Sequence, residues 1–424
     1  MWLRYILAKG LPLLESNPEE TWRNPAGNLS ALPGEMAILG AAGRSRPDKL
    51  EDMLATAAKR IAPPKRLLYG PGPAMVEPRA YEAMNLPVLG IFDPYFLELL
   101  DEIRVGLRTV FGTRNSATFP IPAGGSGAME ASLATFLRPG SKIAIFAAGH
   151  FADRMTVMAR RMAAEVVRFE KPWGQVFTAD EAAPFIERER PDFVAFVQAE
   201  TSTGAYQSGK AITPAARAID ALVIADCVTS LGAMPVSLDE VGIDVAFSCS
   251  QKGLSCPAGL SPVSVSPRAW ERLRNRERDP ATWYLDLELI AKYFDAPHVY
   301  HHTPSPPLYY AMHQALAAIE DEGLRNRWER HRLASERLIA GLVKLGFEPL
   351  VARPEDRIWH LTTVFPPPGV DPAALRQRLL QDHAIEIASG LGQLAGKILR
   401  IGAMGPLATT ENVDLLLNAL TASL

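Results

Sequence analysis

The stretch Leu222-Val223-Ile224-Ala225-Asp226 is an unbroken apolar run that ends in an acid. A second run, Val245-Ala246-Phe247, leads through Ser248-Cys249-Ser250-Gln251 to Lys252. Continuous apolar runs of this kind are typical of strands buried on both faces of a parallel sheet. Ligands bind such sheets at the carboxyl ends of the strands. The two runs therefore predict an acid at one strand end and a lysine just beyond the next.

This pair of residues suits the chemistry of pyridoxal phosphate (PLP). A lysine amine forms a Schiff base with the PLP aldehyde, and a carboxylate holds the ring nitrogen protonated. The protonated ring then accepts electron density from the substrate carbanion. An Asp that caps a helix and a solvated Lys would give the same local pattern, so Asp226 and Lys252 alone leave both interpretations open.

The region around this pair alternates short apolar runs with helical stretches, which predicts an α/β layer with a mainly parallel sheet. The runs on which this rests are 143–146, 166–169, 193–197, 222–225, 245–247 and 261–266. After Pro307 the pattern changes to a long helical region, from about Leu308 to Leu345, with a break near Glu322-Gly323. Shorter strands and helices follow, which predict a smaller C-terminal α+β domain.

A glycine-rich segment, Ala123-Gly124-Gly125-Ser126-Gly127-Ala128, opens a predicted helix from Met129 to Phe136. Glycines let backbone amides approach an anion, and the start of a helix adds a favourable potential. The segment fails the dinucleotide spacing at Glu130 and lacks the lysine of a P-loop. With a Schiff-base lysine elsewhere in the chain, Gly124, Gly125 and Ser126 become candidates for a phosphate-binding loop.

Phe151 follows the predicted strand 143–146, where an aromatic ring can stack on a flat cofactor. A core position at a helix start would explain the same residue. His298, His301 and His302 invite a metal site, but adjacent histidines diverge and no acid or Cys completes a set. A loop or interface role is therefore favoured for them.

Composition excludes several classes of protein. The 424 residues suffice for two domains, and 48% hydrophobic with 21% charged residues is ordinary for a globular protein. A net charge of −3 argues against nucleic acid or an anionic membrane as partner. Three cysteines without paired spacing argue against disulfides and zinc, and no apolar run approaches the roughly 20 residues of a membrane span. A cytoplasmic location is the default expectation.

Several motifs in order carry a resemblance that covers the chain from about Lys65 to its C-terminus. They are Leu68-Tyr69-Gly70-Pro71-Gly72-Pro73, the Gly124 loop, Glu200-Thr201-Ser202-Thr203-Gly204, Asp226-Cys227-Val228-Thr229-Ser230-Leu231-Gly232, Ser250-Gln251-Lys252, Tyr300-His301-His302-Thr303-Pro304 and Leu399-Arg400-Ile401-Gly402. The chain resembles the class V, fold-type I aminotransferases of the alanine–glyoxylate and serine–pyruvate family. The resemblance implies a PLP transferase fold: a large domain with a mainly parallel, seven-stranded type of sheet between helices, and a smaller C-terminal domain.

The same resemblance implies roles for individual residues of the cofactor site. Lys252 matches the Schiff-base lysine, Asp226 the partner of the ring nitrogen, and Thr201 the contact to the phenolic oxygen. The remaining cofactor contacts are Gly124, Gly125 and Ser126 in the phosphate loop, Gln251 at the phosphate, and Phe151 at a stacking position where close relatives carry Trp.

Residues from other parts of the chain complete the implied site. Tyr300 and Thr303 match residues that reach the phosphate of the neighbouring subunit, which implies a homodimer with shared active sites. Arg400 matches the arginine that binds the substrate carboxylate, and Gly72 lines the substrate pocket. Two departures concern this pocket and the phosphate loop: Gly90-Ile91-Phe92-Asp93-Pro94 lacks the usual glycine–histidine start, and Ser126 stands where some relatives have His.

The resemblance implies ping-pong transfer of an amino group from alanine or serine to glyoxylate or pyruvate. Aminotransferases of the pyridoxamine–pyruvate or 2-aminoethylphosphonate–pyruvate type are the alternative. A cysteine desulfurase is disfavoured because no Cys follows Cys256, and a nicotinamide-dependent dehydrogenase because the fingerprint fails. A non-catalytic binding protein is disfavoured by the intact Lys252, Asp226 and Arg400.

The predicted organisation has four parts. Residues 1–61 form a poorly patterned N-terminal extension with no counterpart in the resemblance, and 62–85 form an arm that contributes to the substrate pocket. Residues 86–307 form the large PLP-binding domain, and 308–424 form the long linking helix and the small C-terminal domain.

Overall fold

Fifteen strands are found in the part of the chain that the computed structural model describes, residues 61–276 and 278–424. They are Leu67–Leu68 (β1), Ala117–Ile121 (β2), Lys142–Ala147 (β3), Glu165–Glu170 (β4), Phe193–Val197 (β5), Ala199–Glu200 (β6), Ala205–Tyr206 (β7), Leu222–Asp226 (β8), Val245–Phe247 (β9), Ser261–Val265 (β10), Glu348–Pro349 (β11), Leu361–Phe365 (β12), Ile385–Glu386 (β13), Ala388–Ser389 (β14) and Leu399–Gly402 (β15). The predicted extension, apart from its last residue, lies outside the described residues.

The helices within the same ranges pack on these strands. They are Pro78–Ala83 (α1), Pro94–Phe111 (α2), Gly125–Phe136 (α3), His150–Arg161 (α4), Ala179–Glu189 (α5), Thr213–Ala218 (α6), Leu238–Val241 (α7), Pro267–Arg274 (α8), Leu287–Phe294 (α9), Pro306–Glu322 (α10), Leu324–Lys344 (α11), Pro372–His383 (α12) and Thr410–Ser423 (α13). Short 3₁₀ turns occur at Gly209–Ala211, Pro354–Asp356, Gly392–Leu394 and Gly405–Leu407. No helix among the described residues is both long and apolar enough to cross a membrane.

A seven-stranded sheet carries the larger hydrophobic core, in the order β2-β10-β9-β8-β5-β3-β4. The five strands from β9 to β4 pair in parallel, and β10 runs antiparallel to both β9 and β2. Every residue of β5 and β8 is buried, as expected for strands covered on both faces. The predicted mainly parallel α/β sheet is therefore confirmed.

A four-stranded antiparallel sheet, in the order β11-β12-β15-β14, carries a second core with α11, α12 and α13. Tyr69 from the segment before the large sheet is fully buried in this core, and its hydroxyl donates to the Asn412 carbonyl at 2.7 Å. The chain next to Tyr69 is thereby held along the small sheet. Residues 64–424 cluster as one compact unit, and the predicted domain limits at 85 and 307 stay predictions.

The helices and strands differ from the sequence prediction at a few places, each with a local cause. The predicted helical break is confirmed at Gly323, which separates α10 from α11 with a φ of 80°. Helix α3 begins at Gly125, earlier than the predicted start at Met129, because the glycine-rich segment forms its first turn. Strand β2 was not predicted, because Pro120 weakens the strand signal of this edge segment.

Candidate active site

The carboxyl edge of the large sheet holds a cavity that collects most of the residues predicted from sequence. Asp226 is the last residue of β8, and Lys252 lies in the loop that follows β9. Seven predicted residues line the cavity: Gly125, Ser126, Phe151, Thr201, Asp226, Gln251 and Lys252. Residues separated widely in sequence meet here because neighbouring parallel strands end at the same edge.

Asp226 is a buried carboxylate without a cationic partner in the described chain. Asp226 is only 3% exposed, and its Oδ1 accepts a hydrogen bond from the Val228 amide at 2.8 Å. Burial, with a smaller contribution from the negative charge of Glu200, raises the pKa of Asp226 to about 7. A cation placed against this carboxylate would stabilise its ionised form, which is the partner that a protonated ring nitrogen needs.

Lys252 lies against the loop that leads in from Tyr69. Its Nζ donates to the Pro71 carbonyl, and burial lowers the pKa of the amine. The residues after Lys252 are held by Arg327, whose guanidinium donates to the carbonyls of Gly253 at 2.9 Å and Gly232 at 3.0 Å. This contact fixes the position of the lysine loop and was not predicted from sequence.

Gly72 and Gly70 form a matched pair for testing the closeness of this loop to Lys252. A Cβ on Gly72, which has a φ of 117°, would overlap the Lys252 side chain, whereas a Cβ on Gly70 would meet nothing within 4 Å. We expect Gly72→Ala to lower kcat/KM at least about tenfold for any reaction that uses the Lys252 amine. Backbone strain at residue 72 and overlap of the new Cβ with the Lys252 side chain would both displace this amine. Gly70→Ala should stay within about twofold. Equal steady-state rates for the two variants would contradict this placement.

The predicted phosphate loop opens helix α3. Gly124 is the N-cap residue, and no side chain of the described residues caps this helix start. A Cβ on Gly125 would lie 3.1 Å from Val228, so this position leaves little room for a side chain. The Ser126 hydroxyl accepts a hydrogen bond from Arg154 Nη1 at 2.6 Å, and Gln251 Oε1 is buried with no hydrogen-bond partner. The helix start and the Arg154 guanidinium suit an anion, toward which the Gln251 amide can donate only through its NH2.

Phe151 is positioned by a buried acid that sequence reasoning did not identify as functional. Glu200, only 5% exposed, accepts hydrogen bonds from the Phe151 amide at 3.1 Å and from the Ser202 hydroxyl at 2.6 Å. It therefore ties the start of helix α4 to the segment that carries Thr201. Gly149 leaves room for this carboxylate, since a Cβ there would overlap it. The motif Glu200-Thr201-Ser202 contained the signal, a charged residue directly after a buried strand.

Arg400 reaches this region from the small sheet. It lies in β15, is 7% exposed, and its Nε and Nη1 donate to the carbonyls of Ser389 at 2.7 Å and Thr201 at 3.2 Å. Burial lowers its pKa to about 10, so the guanidinium is cationic at neutral pH. Arg400 thus brings a positive charge beside Thr201, where a substrate carboxylate is predicted to bind.

Five of the predicted residues are not among those that line the cavity: Gly72, Gly124 and Arg400, whose positions are given above, and Tyr300 and Thr303. Tyr300 is 56% exposed, and its hydroxyl lies 3.0 Å from that of Thr303. Neighbouring His301 stacks on Trp283, and its Nδ1 lies 2.8 Å from that of His302. No group of three or more His, Cys, Asp or Glu side chains suited to a metal was found in the part of the chain that is described.

The three cysteines are buried, and burial raises the pKa of the Cys249 thiol to about 12. Buried thiols of this kind behave as small apolar side chains rather than as nucleophiles. The cavity is lined instead by Lys252 and Asp226, with Phe151 and the loop at Ser126 beside them. This set matches the four features that the sequence predicted for a PLP site.

Comparisons with known proteins agree with this geometry. The family profile of the class-V aminotransferases matches residues 92–416. The alanine–glyoxylate aminotransferase of Drosophila melanogaster is 37% identical over 85% of this chain and 93% of its own length. A crystal structure of alanine–glyoxylate aminotransferase from Nostoc sp. superposes with a TM-score of 0.86 and 43% identity, over 88% of this chain and 99% of that one.

A further solved relative is the ureidoglycine–glyoxylate aminotransferase of Bacillus subtilis, with a TM-score of 0.84 and 36% identity over 86% of this chain and 94% of that chain. The predicted family and the fold-type I architecture are both confirmed by these matches. The chain belongs to the class-V aminotransferases.

Proposed function

We propose that this enzyme binds PLP at the carboxyl edge of the large sheet and moves an amino group from alanine or serine to glyoxylate or pyruvate. The observation that carries the proposal is the cavity shared by Lys252 and Asp226, in which no ion pair within 4.0 Å joins the buried acid to a basic side chain of the described residues. The relatives support the acceptor, since those from Drosophila melanogaster, Nostoc sp. and Bacillus subtilis are all named for glyoxylate.

When bound, PLP supplies an aldehyde that joins to amines and a ring that accepts electron density from the substrate α-carbon. Asp226 keeps the ring nitrogen protonated, and Phe151 covers one face of the ring. Lys252 Nζ would hold the cofactor through its aldehyde and, as a free amine, would serve as the base for the α-proton of the substrate. A lowered pKa suits this step, because the amine must be neutral to act as a base.

Thr201, Gln251 and the Gly124–Ser126 loop hold the remaining polar atoms of the cofactor in this proposal. Gln251 fits this role because it lines the cavity and the NH2 of its amide can donate to a phosphate oxygen. The reaction proceeds by a ping-pong path, in which the donor leaves as a 2-oxo acid before the acceptor enters. The same groups then work in reverse on the acceptor.

Arg400 orients the carboxylate of each substrate in this scheme, and Gly72 borders the same pocket. A guanidinium can bind a carboxylate through two parallel hydrogen bonds. Arg400 suits the task because only Nε and Nη1 are engaged by backbone carbonyls in the described structure.

Arg400→Met should lower kcat/KM for L-alanine by about 10- to 100-fold, the usual effect of losing a hydrogen bond to a charged group. It should also remove the preference for L-alanine over L-alaninamide, which has no carboxylate. Arg376→Met is the matched control, since Arg376 in helix α12 likewise donates to a backbone carbonyl, that of Ile387 just before β14. An Arg400→Met enzyme that still prefers alanine would contradict the assignment, as measured by steady-state kinetics.

A homodimer with shared active sites is part of the proposal. Tyr300 and Thr303 lie exposed and close together, which supports a role toward the phosphate site of a second subunit. The cytoplasmic location stays a prediction.

The alternative is a relative with another amine donor, such as pyridoxamine or 2-aminoethylphosphonate. The test is the visible absorbance of the purified protein with PLP, followed as L-alanine and then glyoxylate are added. Loss of the absorbance with alanine and its return with glyoxylate would support the proposal. If the absorbance did not change on addition of alanine, alanine would be refuted as the donor. Serine, ureidoglycine, pyridoxamine and 2-aminoethylphosphonate would then be tested in its place. If PLP produced no absorbance, the cofactor assignment itself would fail.

A further inference from the structure

Arg154 is a positively charged residue that lines the cavity and has no role in the function proposed above. It follows Phe151 by one turn of helix α4 and lines the same cavity as Lys252 and Asp226. Its Nη1 donates to the Ser126 hydroxyl at 2.6 Å, and the centre of its guanidinium lies 4.8 Å from the centroid of the Phe151 ring. These contacts place the charge between the start of helix α3 and the aromatic ring.

No carboxylate neutralises Arg154 within the described residues, where no ion pair shorter than 4.0 Å involves it. The adjacent acid, Asp153, pairs instead with Arg168 at 2.7 Å. An arginine that lines a cavity and has only a neutral hydroxyl as partner is suited to binding an anion.

The phosphate loop needs such a charge. Backbone amides of Gly125 and Ser126 and the serine hydroxyl offer only partial charges, whereas a phosphate monoester carries about −1.5 to −2 near neutral pH. Lys252 and Arg154 are the two basic residues among those lining the cavity. Lys252 is committed to the aldehyde of the cofactor in the proposed function, which leaves Arg154 for the phosphate.

We propose that Arg154 is a cofactor-binding residue that neutralises the phosphate group of PLP together with Ser126. The inference rests on the proposed function, since it requires PLP in this cavity. Ser126 stands where some relatives have His, and a small hydroxyl there leaves the long Arg154 side chain room to reach the anion.

A different role for Arg154 would be to hold the Phe151 ring by its cation–π contact. The two roles separate experimentally, because pyridoxal has the ring of PLP without the phosphate. An arginine that binds phosphate contributes only to PLP affinity, whereas one that orders Phe151 contributes to both ligands.

The experiment measures the affinity of cofactor-free protein for PLP and for pyridoxal by absorbance titration. Wild type, Arg154→Met and Arg154→Lys are compared with Arg188→Met, a matched control whose guanidinium lies 5.3 Å from the Phe185 ring away from the cavity. Competition by inorganic phosphate against PLP is measured for the same proteins, and thermal melting checks that each is folded.

Arg154→Met should weaken PLP binding by about 10- to 100-fold and leave pyridoxal within about twofold. Arg154→Lys should keep part of the affinity, and inorganic phosphate should compete less with PLP in Arg154→Met than in wild type. Equal losses for PLP and pyridoxal, or no loss, would overturn the inference while the proposed function stands. If wild type failed to bind PLP, the proposed function would fall and this inference with it.

Discussion

Replacing Lys252 by alanine should abolish transamination, with kcat falling by at least about 10⁴-fold. The variant loses both the amine that joins the cofactor and the base that removes the α-proton. Among the residues that line the cavity, no other side chain offers a primary amine. Rates of pyruvate formation from L-alanine and glyoxylate measure the loss, and the visible absorbance of bound PLP should change with it.

Lys252→Arg separates the amine from the charge, since a guanidinium keeps the cation but does not act as the nucleophile or base at neutral pH. It should be as inactive as Lys252→Ala. Lys210→Ala is the control for loss of a lysine, because Lys210 pairs with Glu240 at the surface and should leave kcat unchanged. Activity in Lys252→Ala above a tenth of the wild-type value would refute the role of this residue.

Replacing Asp226 by asparagine should lower kcat by roughly 200- to 5000-fold. The amide has the shape of the carboxylate but cannot stabilise a proton on the ring nitrogen. Loss of one partner of a buried charge pair costs about 3–5 kcal/mol, and such a cost in the transition state corresponds to that change in rate. Single-turnover rates with L-alanine measure this loss of rate directly, because they report only the half-reaction with the amino donor.

Asp244→Asn is the matched control for Asp226→Asn. Asp244 is 2% exposed and accepts hydrogen bonds from the Val223 amide at 2.9 Å and the Ser266 hydroxyl at 3.0 Å. Its replacement should lower the free energy of unfolding and leave the single-turnover rate within about threefold, since Asp244 does not line the cavity. A rate loss as large as that of Asp226→Asn would argue that both effects are structural.

In cofactor-free protein, comparison of wild type with Asp226→Asn should show how the free energy of unfolding depends on the ionisation of Asp226. Burial raises the pKa of this carboxyl from 3.8 to about 7, so the folded chain binds the proton more tightly than the unfolded chain does. The resulting stability is fully present below about pH 4 and is lost as pH rises through 7. The free energy of unfolding of wild type relative to Asp226→Asn should therefore fall between pH 5 and pH 8 in urea titrations. A difference independent of pH would contradict it.

Local sequence signals predicted the parts of the site that lie at strand ends. The apolar runs before Asp226 and Lys252 predict buried parallel strands, because strands covered on both faces need continuous apolar residues. The glycines before helix α3 likewise predict a loop that an anion can approach. The motifs at Thr201 and Arg400 pointed to the family, and their contacts at the cavity edge agree with that resemblance.

The missed features share one cause, because each depends on segments that approach each other only in the fold. In the sequence, Arg154 is one of several charged residues on an amphipathic helix. Its hydrogen bond to Ser126 joins residues that are 28 positions apart. Glu200 is adjacent to a recognised motif, but its hold on the Phe151 amide depends on two strands ending side by side. Arg327 lies in a long helix whose burial against Gly253 leaves no local trace.

By itself, the sequence determined the α/β class, the two strand ends that carry Asp226 and Lys252, and the glycine loop, because apolar continuity and glycine placement are local properties. Only the tertiary structure decided how the cavity is completed. The Lys252 amine meets the Pro71 carbonyl across 181 positions, and Arg400 meets Thr201 across 199. Such contacts join segments that lie far apart in the chain, for which periodicity along the sequence carries no information.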